Sequence, residues 1–392
     1  MDAAYQSSYD NVNAVVIDLG SETIRAGYCS NGLGKPQMEI SSIAGVKKST
    51  TDGSNQYFLD DAIKTPIEGM KLNPIIFDGL IQDWDLFEEV INGIIKRLNC
   101  IPDETFFMFS EALHTPEKSR QKLLEIIASR FMSSGMVIDS GASHTSVIPV
   151  VDFFALKKSY WKADIGGHFL VDQAQEYFSQ MNEPITPKYM IKSAKVVSPL
   201  GPLDCEMKTD LPPFSSTYHV WAVHETLKDF VQSTLQISTI PLREKPNHKI
   251  AKTYVFPDGR THIFQDEIYS LTEGMFDRNF DLLLQTTNES CPEPTITEMA
   301  EHVLQYNDVS IQDDLQQNIL VTGGTSAIPG FAERIQSCLS TKFYGIKVRN
   351  VSKNPRFDAW LGGANIARMP NFDSHWYSNQ QYIEGNRSIH EL

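Results

Sequence analysis

Three short apolar runs along the chain end in similar ways. Val15-Val16-Ile17 leads into Asp18-Leu19-Gly20-Ser21, Met136-Val137-Ile138 into Asp139-Ser140-Gly141, and Asn318 to Val321 into Thr322-Gly323-Gly324-Thr325. Apolar runs of this length, closed by glycine, predict buried strands that give way to turns. The recurrence of an apolar run ending in Asp-x-Gly implies two related halves.

Between these strands the pattern changes to helical spacing. Asp83-Trp84-Asp85 opens a stretch with Phe87, Val90, Ile91, Ile94 and Ile95 on one face, and Thr105 to Phe109 follows as a buried strand. After Ser110 to His114, Thr115 is placed as an N-cap with Pro116 at the first helical position, and Leu123, Leu124, Ile127 and Phe131 share a face. Val147 to Phe154 predicts a strand, and Gly167 to Phe178 a helix whose inner face carries Phe169, Leu170, Ala174 and Tyr177. Prolines 199, 202, 212 and 213 predict a surface loop without regular structure from Val197 to Phe214. His219 to Gln236 reads as a helix, Lys252 to Phe256 and Arg260 to Phe264 as a hairpin around Pro257-Asp258-Gly259, and Thr295 to Tyr306 as an amphipathic helix. Alternating strands and helices predict an α/β fold.

Composition narrows the classes. A chain of 392 residues, 41% hydrophobic, can bury a sizeable core and favours two domains over one. With 34 basic against 49 acidic residues its net charge is −15, the wrong sign for binding nucleic acid through phosphate neutralisation, and basic partners fit better. The polar stretch Met1 to Asn13 carries no secretory pattern, and no apolar run is long enough to span a bilayer. Cys29, Cys100, Cys205, Cys291 and Cys338 are scattered without a CxxC pair, which predicts reduced thiols in the cytosol or nucleus.

Glycine turns at strand ends let main-chain N–H groups converge on an anion, most often phosphate. An aspartate at the same strand end would hold a hydrated magnesium rather than the phosphate itself. One such loop occurs in many proteins without any ligand. Two copies and a third glycine turn, in order along the chain, point to a nucleotide cleft.

The segments Val15 to Gly27, Met136 to Pro149, Leu320 to Gly330 and Trp360-Leu361-Gly362-Gly363 resemble actin and the actin-related proteins, in the family's order. Gly79 to Phe87, Ser110-Glu111-Ala112, Tyr254 to Asp258 and Trp376 to Gly385 are also similar, so the resemblance covers almost the whole chain. Within the family, Asp139 to Thr145, Lys188 to Ile191 and Leu211 to His219 look like the nuclear actin-related protein 4 class. The resemblance implies an actin-like two-lobe fold of the actin/Hsp70/hexokinase superfamily. The small lobe would span 1–136 and 358–392, the large lobe 137–357, with a nucleotide cleft between them. Matched residue by residue, Asp18, Gly20 and Ser21 correspond to the first phosphate loop. Asp139, Ser140 and Gly141 correspond to the second, and Gly323, Gly324 and Thr325 to the turn near base and sugar, while Arg25 stands at the family's lysine position. Magnesium would be held through water near Asp18 and Asp139, with no direct protein ligand.

Departures from the family pattern weigh against hydrolysis. Glu22 replaces a glycine and sets a carboxylate beside the expected phosphates, where like charges repel unless a cation intervenes. Ala142 replaces a second-loop aspartate, and only Met132-Ser133-Ser134 remains where the family has a strand and the helix carrying its water-positioning glutamine. The small lobe is therefore expected to lack one strand-helix unit. Losing two water-orienting groups would forfeit on the order of 2 kcal/mol or more of barrier reduction each.

Other candidates have plainer readings. His144, in the second loop, is expected to be held by neighbouring hydrogen bonds, and His219 and His224 to be structural. Trp360 is expected in the core, and Trp221 and Trp376 either there or in a partner groove. The region between the carboxyl-terminal segment and Gly345 to Val351 resembles the place where the family receives a partner helix. The resemblance thus implies a non-enzymatic nuclear subunit of chromatin-remodelling and histone acetyltransferase complexes, with ATP and magnesium weakly bound or absent. Its implied partners are nuclear actin, a helical docking segment of a remodeller ATPase or acetyltransferase scaffold, and histones, with no membrane or sequence-specific nucleic acid. A filament-forming actin, which the short polar Lys47 to Tyr57 segment disfavours, and a slow ATPase or sugar kinase stand as alternatives.

Overall fold

The computed structural model describes residues 13–49, 54–101, 105–110, 112, 114, 134–151, 154–199, 201–247, 250–287, 293–369 and 372. Two sheets organise the molecule. The first has the order β3-β2-β1-β4, from β1 (Ala14–Leu19), β2 (Thr23–Tyr28), β3 (Met38–Ser41) and β4 (Phe106–Phe109). The second has the order β7-β6-β5-β9-β10, from β5 (Gly135–Ser140), β6 (Thr145–Val151), β7 (Phe154–Ala155), β9 (Ile319–Thr322) and β10 (Val348–Asn350), with β8 (Trp161–Ala163) also pairing β6.

The two central strands repeat one plan. β1 pairs antiparallel with β2 and parallel with β4, and β5 pairs antiparallel with β6 and parallel with β9. Each is an unbroken apolar run because both of its faces are covered, as a strand with parallel pairing inside a sheet requires. Val15 and Ile17 face α1 (Trp84–Leu98) through Leu86, Val90 and Ile94. Ala14 and Val16 pack with Trp360 and Ala364 of α6 (Asp358–Ala367). In β5, Met136 and Ile138 join the largest core, while Val137 packs with Ile148 and Val150.

The helices start where local chemistry directs. Asp83 caps α1, accepting the Leu86 N–H at 3.0 Å, and Asn99 closes the helix with φ 55°. α2 (Gly167–Gln180) buries Phe169, Leu170, Ala174 and Phe178, with Tyr177 partly buried against the same core. α3 (Ser216–Thr234) is capped by Ser215, and α4 (Ile296–Tyr306) by a reciprocal Thr295–Glu298 box. α5 (Phe331–Ser340) supplies Phe331, Ile335 and Leu339 to the large core.

One expectation is corrected. Within the proline-rich stretch, Asp204–Met207 forms a strand antiparallel to Ile191–Lys195, held across the pair by Lys192–Glu206 and Lys195–Asp204 ion pairs. The prolines bracket this strand without entering it. The first sheet has four strands among the described residues. The helix placed at Thr115 to Phe131, Glu111, the shortened Met132-Ser133 junction, and Trp376 with the carboxyl-terminal segment lie outside the described residues.

Candidate functional site

The ends of β1, β5 and β9 converge on a cleft of about 580 Å³ between the two sheets. One wall carries Asp18, Gly20, Ser21, Glu22 and Arg25; the other carries Asp139, Gly141, His168, Lys228 and the Gly323-Gly324-Thr325 turn. Nine of the ten residues assigned to the site from the sequence therefore line one space. Ser140 is the exception. Strand alternation turns it toward the face of Met136 and Ile138, where its buried hydroxyl meets Thr145 Oγ1 at 2.8 Å.

The glycine turn is fixed by close approach. Gly323 has φ +88°, and a Cβ there would lie 2.3 Å from the Ser140 carbonyl oxygen and 2.5 Å from Asp139 Oδ1. Only glycine lets the β9 turn lie against the second loop. Thr325 then donates its hydroxyl proton to the Gly141 carbonyl at 2.6 Å, tying the turn to the loop.

The two strand-end aspartates differ in their partners. Asp18 Oδ1 accepts from the Ser110 hydroxyl at 2.7 Å, and Oδ2 from Arg25 Nη1 at 3.1 Å. Arg25, directly across the β1–β2 register from Asp18, also pairs through Nε with Glu39 at 3.4 Å. Burial pushes Asp139 up to about 6, reinforced by the negative charges of Asp18 and Asp358. Asp358 itself accepts the Thr322 hydroxyl proton at 3.0 Å.

The volume suits a nucleotide-sized ligand. Asp139, buried beside the negative charges of Asp18 and Asp358, is the kind of carboxyl whose ionised form a hydrated divalent cation would favour. Among the described residues no group of three or more His, Cys, Asp or Glu is arranged to ligate a metal directly. Asp18 and Asp139 are the residues that could face a hydrated magnesium, while the Arg25 guanidinium is engaged by Asp18 and Glu39.

A sequence model of the actin family matches residues 9–391. The chain belongs to the actin family. Among curated relatives, the actin-family chain is 28% identical to the SWI/SNF and RSC complexes subunit arp42 of Schizosaccharomyces pombe, over 96% of each protein. It is 27% identical to actin-related protein 4 of Emericella nidulans, over 97% of this chain and 96% of that protein. Its identity to actin-related protein 4 of Yarrowia lipolytica is 26%, over 96% and 94% respectively.

The structure revises what Glu22 does in this actin-family chain. Its carboxylate meets Lys228 Nζ at 2.5 Å and His168 Nε2 at 3.2 Å, both on the opposite wall. Burial would raise its pKa, but the His168 hydrogen bond and the Lys228 charge outweigh that and hold it at about 2. The cation anticipated as necessary beside Glu22 is a side chain. A second crossing joins Asp78 of the first half to His144 Nδ1 at 2.7 Å and Lys162 Nζ at 2.5 Å. His144 is held by a hydrogen bond, as the sequence reading expected.

Beyond these pairs, an apolar seam joins residues of the first and second halves of the chain. Ile63, Met70 and Leu72 pack with Tyr189, Tyr218 and Ala222, and Trp221 lies against the same cluster. The Leu72 N–H reaches Thr217 Oγ1 at 3.3 Å, and the Tyr218 hydroxyl donates to the Lys64 carbonyl at 2.9 Å. His219 bonds the Tyr189 hydroxyl at 2.9 Å, and His224 packs on His168 with burial pushing it down to about 4. Trp360 is core, donating to the Val16 carbonyl at 3.0 Å.

The sequence reading missed His168, Lys228, Asp78 and Lys162. The odd residue at position 22 was visible, but its partners lie 146 and 206 residues away, and no local pattern points to them.

Proposed function

We propose that this chain is an actin-related subunit of a nuclear chromatin-remodelling complex, working by binding rather than by catalysis. Its similarity to SWI/SNF, RSC and actin-related protein 4 subunits extends along essentially the full length of both partners, which supports the same kind of assembly. In this reading residues 1–136 and 358–392 form the small lobe and 137–357 the large one. The partners are nuclear actin, a docking helix of a remodeller or acetyltransferase scaffold, and basic histone surfaces suited to a net charge of −15.

The observation that carries the non-catalytic half is the commitment of the first loop's charges. Asp18 has both carboxylate oxygens bonded by Arg25 and Ser110, and Glu22 is bonded across the cleft, so neither is poised to orient an attacking water. Positioning is the main source of acceleration in phosphoryl transfer. A bound magnesium nucleotide would add a further link between the walls. Gly323, Gly324 and Thr325 would seat its base and sugar, Gly20, Ser21 and Gly141 would border its phosphates, and Asp18 and Asp139 would face the hydrated ion.

Affinity purification of the tagged chain from nuclear extract, followed by mass spectrometry, tests the assembly. Remodeller or acetyltransferase subunits are expected, and recovery of cytoskeletal partners alone would refute it. Turnover of MgATP by the purified chain is expected to be slower than that of a conventional actin assayed alongside. A comparable or faster rate would refute the binding-only reading.

A further inference from the structure

The cleft contains an arrangement that the family assignment does not explain. Glu22 projects from the β1–β2 turn, immediately after the first phosphate-type loop, and ends between two cationic or protonatable groups of the facing lobe. Lys228 lies on α3 and His168 on α2. The side chains of these three residues are only 23% to 28% exposed, so the contact lies inside the cleft mouth rather than on an open surface.

Lys228 also pairs with Glu225 at 2.5 Å, so the bridge is anchored from its own helix as well. The Asp78 crossing to His144 and Lys162 makes a second span between the same two halves. The geometry is that of a ligand contact: a carboxylate, an anion with acceptor oxygens only, satisfied by donors from the opposite wall.

From this we infer that Glu22 is an internal counter-ion which occupies the anion position of the cleft and draws the two walls together on its own, so that closure does not depend on a nucleotide and any nucleotide phosphate must compete with Glu22 for Lys228 and His168. The inference about competition rests on reading the cleft as a nucleotide site; the inference about closure does not. A family cleft with glycine at this position has no such carboxylate and must obtain its cross-cleft anion from the ligand. Here the chain carries its own, and the apolar seam of Leu72 with Tyr218 also joins the two halves.

The Leu72 amide offers a direct reporter, because its N–H bonds Thr217 across the seam. Hydrogen exchange of the nucleotide-free full chain is expected to show this amide protected. In Glu22→Gly and in the size-conserving Glu22→Gln it is expected to exchange at least about tenfold faster, with the hairpin at 252–264 unchanged as a folding control. Equal Leu72 exchange in the wild type and both variants, with the hairpin protected, would overturn closure by Glu22.

Titration with a fluorescent MgATP analogue addresses competition. Glu22→Gly is expected to bind at least about tenfold tighter than the wild type, a difference of about 1.4 kcal/mol. Equal or weaker binding by the variant would overturn competition. Failure of every form to bind, while Leu72 exchange still responds to position 22, would leave Glu22 as a closure device and dismiss the nucleotide reading of the cleft.

Discussion

The loops after β1 and β5 are built to one plan and set in opposite electrostatic surroundings. In each, a fully covered strand delivers an aspartate to the cleft, an antiparallel neighbour follows, and a parallel strand lies on the other side. The first aspartate receives a guanidinium and a hydroxyl. The second is pushed up to about 6 by burial, reinforced by the negative charges of Asp18 and Asp358. The contrast shows that backbone topology determines where a carboxylate arrives, whereas burial and the side chains around it determine which partners meet it. Arg25 faces Asp18 across β2, while Ser146 faces Asp139 across β6.

The strongest way to break the comparison is to remove Asp18. Its carboxylate and the Arg25 side chain are only 10% and 13% exposed, so Asp18→Ala strands a largely buried guanidinium. The expected loss is about 3 kcal/mol in urea unfolding, since breaking a buried pair leaves an uncompensated charge. A cost under about 0.5 kcal/mol, the usual range for surface changes, would show that Glu39 alone satisfies Arg25.

Asp139→Asn should have the opposite sign. The ordinary carboxyl value is 3.8 and the folded one about 6, so the acid favours folding below pH 3.8 and loses that advantage as pH rises through 6. At pH 7.5 the amide is expected to be more stable than the wild type by about 3 kcal/mol. The difference should disappear below pH 4. Denaturation at the two pH values measures it, and a stabilisation independent of pH would disconnect it from ionisation.

The smallest contrast concerns the loop glycines. A Cβ at Gly20 would stand 2.6 Å from the Thr23 carbonyl oxygen, whereas one at Gly141 would find nothing closer than the His144 carbonyl oxygen at 3.5 Å. Gly20→Ala should cost about 1–2 kcal/mol and Gly141→Ala less than about 0.5, read from thermal unfolding. Equal costs would mean that the first loop shifts without strain.

Much of this was legible because strong patterns have few interpretations. β1 and β5 announce themselves as apolar runs ending at Asp and Gly, and α1 and α4 by apolar residues at helical spacing. The resemblance places Ser140 with the second phosphate loop, although alternation from Met136 turns its hydroxyl away from the cleft toward Thr145. Asp204–Met207 was not legible. It has no apolar alternation, and its order comes from pairing with Ile191–Lys195 and from cross-strand charges. The Glu22 bridge was half legible, since its donors arrive from helices whose own periodicity accounts only for their buried faces.

The hydrogen bond from Trp360 to the Val16 carbonyl joins positions 344 residues apart. During synthesis β1 is made well before the helix that covers its Ala14 and Val16 face. Most of the second sheet and its large core can assemble before then, because their residues lie between 135 and 350. The first sheet must wait with an uncovered apolar face until residues 358–367 dock. Its vulnerable interval is therefore a matter of translation time, and slowing elongation over the last third of the chain would lengthen it without altering a single contact in the finished fold.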